Sequence, residues 1–217
     1  MFIDLPISTK NRWVVLMLVL VPFSSSCERQ TADANLRNGN LPSASPSAQT
    51  RTARQVWEDI FYPEIDQLAT DAGLENLRTK QPSQHSLEIR IWVERHQGST
   101  RAFVLRRTED QWSAAFLPPR NSSKSGGRLI PLSAPKSGWT VLWEKLNRED
   151  ILTLPDAHEV GADNVDPDAL AIVVEIKSNG SYRAYNYNGF DTSDHVEAKK
   201  VNSFCKTISK EFSVVLC

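Results

Sequence analysis

Cysteine is scarce in this chain: Cys27, Cys205 and Cys217 are the only three in 217 residues, too few for a disulfide-dense scaffold or a Cys-rich zinc site. Charge of one sign is lacking as well. With 25 Lys and Arg against 26 Asp and Glu the formal net charge is -1, so no global field points to nucleic acid or to an acidic substrate. The apolar stretch from Trp13 to Phe23 is about half the roughly 20 residues that cross a bilayer as a helix, and Pro22 closes it early. A permanent transmembrane helix is not expected there. No internal repeat is visible.

Paired metal ligands are also missing. His85, His96, His158 and His195 are spread along the chain, and none has a second His or Cys spaced for one helix face or one turn. The acidic residues Asp156, Glu159, Asp163, Asp166 and Asp168 lack the spacing and central glycine of a calcium loop. The run Ser122-Ser123-Lys124-Ser125-Gly126-Gly127 lacks the Gly-Lys-Ser/Thr ending and the preceding buried strand of a phosphate loop. These read as solvated loops, and no cofactor is expected.

What is present begins at the N-terminus. Lys10 and Arg12 precede the apolar run, and Ser24, Ser25 and Ser26 follow it, which is the order of charged, apolar and small-residue regions in a secretory signal peptide. Ser25, Ser26 and Cys27 resemble a bacterial lipobox; Ser24 stands where that family usually has an aliphatic residue. The resemblance implies that Cys27 is acylated and becomes the first residue of the mature chain, with Glu28 rather than Asp in second place, the pattern of an outer-membrane address facing the periplasm. Ordinary signal-peptidase cleavage, leaving Cys27 unmodified, is the alternative. Multiple acyl chains on one cysteine make stable attachment, whereas one is marginal.

Glu28 to Thr50 is rich in Ser, Ala, Asn, Pro and Gln and has too little apolar surface to fold, so it reads as a tether. Three regions result: a signal peptide over 1–26, a disordered tether over 27–50 and a folded domain over 51–217. Losing Lys10, Arg12 and Asp4 with the signal moves the net charge from -1 only to -2. Roughly 165 residues remain, enough for one core. Cys205 and Cys217 are left over, either to pair in an oxidising compartment or to stand as a small core residue on a helix and a free end.

Within the domain, Val56, Trp57, Ile60 and Phe61 share a helical face, and Pro63 then opens a second short helix ending at Gly73. Leu87, Ile89, Ile91 and Val93 alternate with Glu88, Arg90, Trp92 and Glu94, a half-buried strand with one wet face. Gln97-Gly98-Ser99 and Glu109-Asp110 turn the chain through Thr100–Arg107 and Trp112–Leu117, giving an antiparallel meander. Ser137 is positioned to cap a helix carrying Trp139, Leu142, Trp143 and Leu146. Asn179-Gly180 is a strong hairpin signal, and it puts Ile172, Val174 and Ile176 on one face with Tyr185 and Tyr187, leaving Tyr182 off it. Ser193 or Asp194 caps a last helix with an apolar stripe of Val201, Phe204, Cys205, Ile208 and Phe212. The expected class is α+β: one two-layer domain, an antiparallel sheet of about five strands with helices on one face, in the order α-β-β-β-α-β-β-α.

Candidate chemistry is thin. Ser133, Lys136 and Ser137 with Ser193-Asp194-His195 resemble scattered pieces of the serine penicillin-binding motifs, but Pro135 breaks the helix such a serine needs, and the order is wrong. Arg90, Trp92, Arg101 and Arg106 read as an interaction face, since arginine and tryptophan on an exposed sheet enrich protein interfaces. The expected function is a membrane-tethered, non-catalytic domain that binds a protein or envelope component, with the membrane as its anchor and no nucleic acid partner. The alternatives are an envelope hydrolase whose His158 or His195 meets a carboxylate in space, and a small-ligand carrier with a pocket under the sheet.

Overall fold

Alternating side chains build the strands, and the pairing register then decides what each strand presents to either face. The computed structural model describes residues 53–80, 86–94, 100–119, 127–162 and 169–217. In chain order they form α1 (Ala53–Asp71), β1 (Ser86–Glu94), β2 (Arg101–Thr108), β3 (Gln111–Leu117), β4 (Ile130–Leu132), α2 (Trp139–Arg148), a 3-10 turn (Ala157–Val160), β5 (Ala171–Ser178), β6 (Ser181–Asn188) and α3 (Val196–Phe212). The signal, the tether, Cys27, His85, His96, the turn at 97–99, the loop at 121–126 and Asp163, Asp166 and Asp168 lie outside the described residues, as do the side chains of Val56, Trp57 and Ile60.

All strands join one antiparallel sheet in the order β4-β3-β2-β1-β5-β6. The α+β class therefore holds, with six strands instead of five. The extra strand, β4, is three residues long and carries Pro131, a residue that an edge strand tolerates because its missing N–H faces no partner. Three residues are too few to show an alternation.

The expectation of helices on one face is corrected. Ile89, Ile91 and Val93 of β1 pack with Phe103, Leu105, Ile172, Val174, Tyr185 and Tyr187 against α2 and α3. Trp92 of the same strand packs on the opposite face with Ala102, Val104 and Val173 against Phe61, Ile65, Leu68 and Ala69 of α1. The sheet is the middle of three layers, and β1 is buried along nearly its whole length. The two expected N-terminal helices are one continuous α1. Pro63 lies on its exposed side, so the hydrogen bond that proline cannot donate is lost where water can replace it.

The hairpin expectation is borne out. Asn179 and Gly180 have φ of 48° and 84°, as a type I′ turn requires, and Val174 opposes Tyr185 while Ile172 opposes Tyr187. Both tyrosines are buried, with hydroxyls donating to the carbonyls of Ile151 at 2.9 Å and Pro155 at 2.8 Å. The caps differ from expectation. Gly138, at φ 83°, is the N-cap of α2 in place of Ser137, and His195 is the N-cap of α3 in place of Ser193 or Asp194.

Cys205, fully buried on α3, is disulfide-bonded to Cys217, with Cα atoms 6.2 Å apart. The bridge closes a 12-residue separation and folds Leu216 into the core under α3.

Candidate functional site

The face expected from Arg90, Trp92, Arg101 and Arg106 is not a surface. Trp92 and Arg90 are 0% and 1% exposed, and Arg101 is 6% exposed. Pleating also separates the set, because Arg101 aligns with Val93 on the α3 side while Arg106 aligns with Glu88 on the α1 side. Under α1 the polar residues of the sheet form a closed ionic layer. Glu88 accepts from Arg90 Nε at 2.9 Å, Lys80 Nζ at 2.8 Å and Arg106 Nη2 at 3.1 Å. Burial alone would raise the Glu88 carboxyl, but the bond from Arg106, the charge of Arg90 and the bond from Lys80 win and hold it at about 2.

A second buried carboxylate, Glu175, accepts from Trp92 Nε1 at 2.8 Å and from the Tyr182 hydroxyl at 3.0 Å. Arg78 lies above it, 4.4 Å from the Tyr62 ring centroid and paired with Asp66. Burial and then the charge of Glu175 push the Tyr182 phenol far above its ordinary value, which keeps it a donor. The carboxylates are well supplied with donors, while Arg78 Nη1, Arg90 Nη2 and Arg106 Nε are buried without a hydrogen bond; the arrangement is that of a structural polar layer between helix and sheet.

The scattered serine and lysine motifs are not brought together. Ser133 and Lys136 are exposed. Ser137 meets a different lysine: Lys145 Nζ is 3.5 Å from its Oγ and 2.6 Å from Glu211 Oε1, while Glu211 Oε2 accepts the Ser137 N–H at 2.8 Å. Burial would raise the Glu211 carboxyl, but the bonds from Lys145 and Ser137 lower it. This contact docks the start of α2 on the end of α3. Asp156 is equally committed. Its Oδ1 accepts the His158 N–H at 3.1 Å, and its Oδ2 accepts both the backbone N–H and the side-chain amide of Asn186 at 3.1 Å. With Glu159 answering back to the Asp156 N–H, this is a capping box that fastens the 3-10 turn to β6. His195 is exposed. Among the described residues no three His, Cys, Asp or Glu side chains converge as metal ligands, and no helix is long and apolar enough to cross a membrane.

Among the described residues, a feature that invites a ligand lies at an end of the sheet. Ser178, Leu87, Arg107 and Trp112 align in register across β5, β1, β2 and β3, and all four continue the face that packs on α2 and α3. Here the apolar row ends in an arginine. Between this row, Trp143 of α2, Leu152 and the Glu109-Asp110 turn is a cleft of about 450 Å³, with Ser86 and Asn179 completing its lining. Trp112, Trp139 and Trp143 pack together beside it, with Trp112–Trp143 centroids 5.1 Å apart. The Arg107 guanidinium lies 5.3 Å from the Trp112 ring centroid. Its Nε is buried and has no hydrogen-bond partner.

No family model and no curated protein matches this chain. The cleft's chemistry is therefore read from its own groups. Arg90, Arg101, Arg106 and Arg183 of the sheet each donate to a carboxylate or carbonyl, although Arg90 and Arg106 also keep one buried nitrogen without a hydrogen bond; Arg107 makes no such bond among the described residues. A cation beside an indole, with two carboxylates at the rim, can hold and orient a small polar ligand. Sequence reasoning placed Arg107 at the end of the strand from Thr100 and put its neighbour Arg106 on the expected interaction face. The signal that separates them was the alternation of β2 itself, in which Phe103, Leu105 and Arg107 share one face.

Proposed function

We propose that the chain is a lipid-anchored extracytoplasmic domain that binds a cell-envelope component without transforming it, through the cleft between α2 and the sheet end. The observation that carries the binding role is Arg107, a cation 5.3 Å from the Trp112 ring centroid that lines a cleft of small-ligand size and donates to no carboxylate or carbonyl among the described residues. Two further features support the location. The Cys205–Cys217 bridge is the kind of crosslink that persists in oxidising compartments, and the N-terminal order of basic, apolar and small residues ending at Cys27 is that of an exported, acylated chain. The outer membrane, facing the periplasm, is the proposed address.

Intact mass and membrane fractionation of the natively expressed protein, beside a Cys27→Ser variant, test this reading. A mass increment of diacylglyceryl size on the wild type, with release of the variant from membranes, is expected. A wild type that is soluble and unacylated would remove the anchor from the proposal.

A further inference from the structure

We infer that the cleft is a receptor for a small ligand bearing a single carboxylate on a body with an apolar face, an inference that rests on the binding reading above and names the chemistry of what is bound. Arg107 supplies the selectivity. Arg107 lines the cleft with its guanidinium 5.3 Å from the Trp112 ring centroid, and the planar fork of donors of a guanidinium matches a planar acceptor with two oxygens.

The rim decides the charge of the ligand. Glu109 and Asp110 form the turn beside Arg107, so the cleft holds one cation against two carboxylates. A phosphate monoester, carrying nearly two negative charges, doubles its attraction to Arg107 and its repulsion from the rim alike, so the excess of rim carboxylate weighs about twice as heavily on it as on a carboxylate. Hydroxyl or amide N–H groups of the ligand find acceptors in the same two side chains. Glu109 is held at φ 54°, a conformation that non-glycine residues adopt rarely, so the rim is shaped by the tight turn and not by a free loop. Leu87, Trp143 and Leu152 form the apolar wall. The volume of about 450 Å³ lies within the roughly 300–1,000 Å³ of small-ligand sites.

A cell envelope offers this chemistry from two sources, a carboxyl-bearing sugar and the C-terminal residue of a short peptide. The full chain, purified in detergent, is titrated with N-acetylmuramic acid and with acetyl-D-alanyl-D-alanine, each beside an uncharged counterpart, N-acetylglucosamine and the dipeptide amide. Binding is read by calorimetry and by the fluorescence of the tryptophans at the cleft. At least one acid is expected to bind at least 10-fold more tightly than its uncharged counterpart. Arg107→Gln is expected to weaken that acid by about 10- to 100-fold and leave the counterpart unchanged, with Arg107→Lys falling between. Which acid responds identifies the source.

If acid and uncharged counterpart bind equally, and Trp143→Ala abolishes both while Arg107→Gln abolishes neither, the carboxylate inference is overturned and the cleft remains a binding site. If no probe binds a wild type whose circular dichroism shows it folded, the inference is overturned and the cleft loses its role as receptor for such ligands. An unchanged melting curve for Arg107→Gln separates a lost contact from a lost fold.

Discussion

The indole Nε1 of Trp92 donates to Oε2 of Glu175 at 2.8 Å, joining β1 to β5 across a separation of 83 residues. Both side chains are buried, so the carboxylate depends on this bond and on the Tyr182 hydroxyl for solvation. Trp92→Phe keeps most of the ring volume and removes the donor. It is expected to cost about 2–3 kcal/mol, the range for removing a hydrogen bond to a buried charge, measured by urea unfolding. A loss below about 0.5 kcal/mol would mean that the indole does not hold Glu175.

Glu88 makes stability depend on acid. Folding holds its carboxyl at about 2 against 4.5 for the free group. A depressed carboxylate contributes stability that is present above pH 4.5 and is lost as pH falls from there through about 2. The loss across that window is expected to be about 2–3 kcal/mol once the partial exposure of Arg106 and Lys80 is allowed for. Glu88→Gln should flatten this limb of the stability curve while lowering the plateau near neutrality. An acid limb unchanged in the variant would assign it to other groups.

Reduction of the Cys205–Cys217 bridge should cost about 3 kcal/mol, the loop-entropy value for a closure of this length. For a domain of this size that is a fall in Tm of roughly 6–12 °C. The double variant Cys205→Ala/Cys217→Ala should melt near the reduced wild type and be insensitive to reductant. Equal Tm values with and without reductant would mean that the thiols do not pair.

Asp156→Ala removes four acceptor contacts at once: the cap of the 3-10 turn and the two bonds from Asn186 among them. A loss of about 2–4 kcal/mol is expected, combining a cap with buried donors left unpaired. Asp156→Asn retains one acceptor oxygen and should lose less. Chemical denaturation of both variants orders them, and an equal loss in the two would show that the shape and the one retained oxygen contribute nothing without the charge and the second acceptor.

Much of this architecture was legible in the residues. The alternation of Leu87, Ile89, Ile91 and Val93 fixed β1 and its inner face, and Asn179-Gly180 fixed the β5–β6 register to the residue. What misled was the second face of β1. Glu88, Arg90 and Trp92 have the composition of a solvated face, yet they lie beneath α1, and their partners Lys80, Arg106 and Glu175 come from three other segments. A charge pattern in one strand carries no trace of a helix arriving from elsewhere. Pro63 misled in the opposite direction, because the exposed side of a helix tolerates a lost bond that a buried side would not. The cleft was hidden for a third reason. Leu87, Arg107, Trp112 and Ser178 are remote in sequence, and only pairing across four strands sets them in a row.

The seam between β1 and β5 has a kinetic meaning. β1, β2 and β3 are neighbours in both sequence and sheet, and β5 with β6 closes on a two-residue turn, so the contacts within each of these units are local. The strand that joins them lies at the centre of the sheet, and its partners are drawn together from opposite sides of α2. Closing so long a loop is slow, while lengthening it further costs only about 0.6 kcal/mol per doubling. The bond from Trp92 to Glu175 spans that closure, so it forms only once β5 has reached β1.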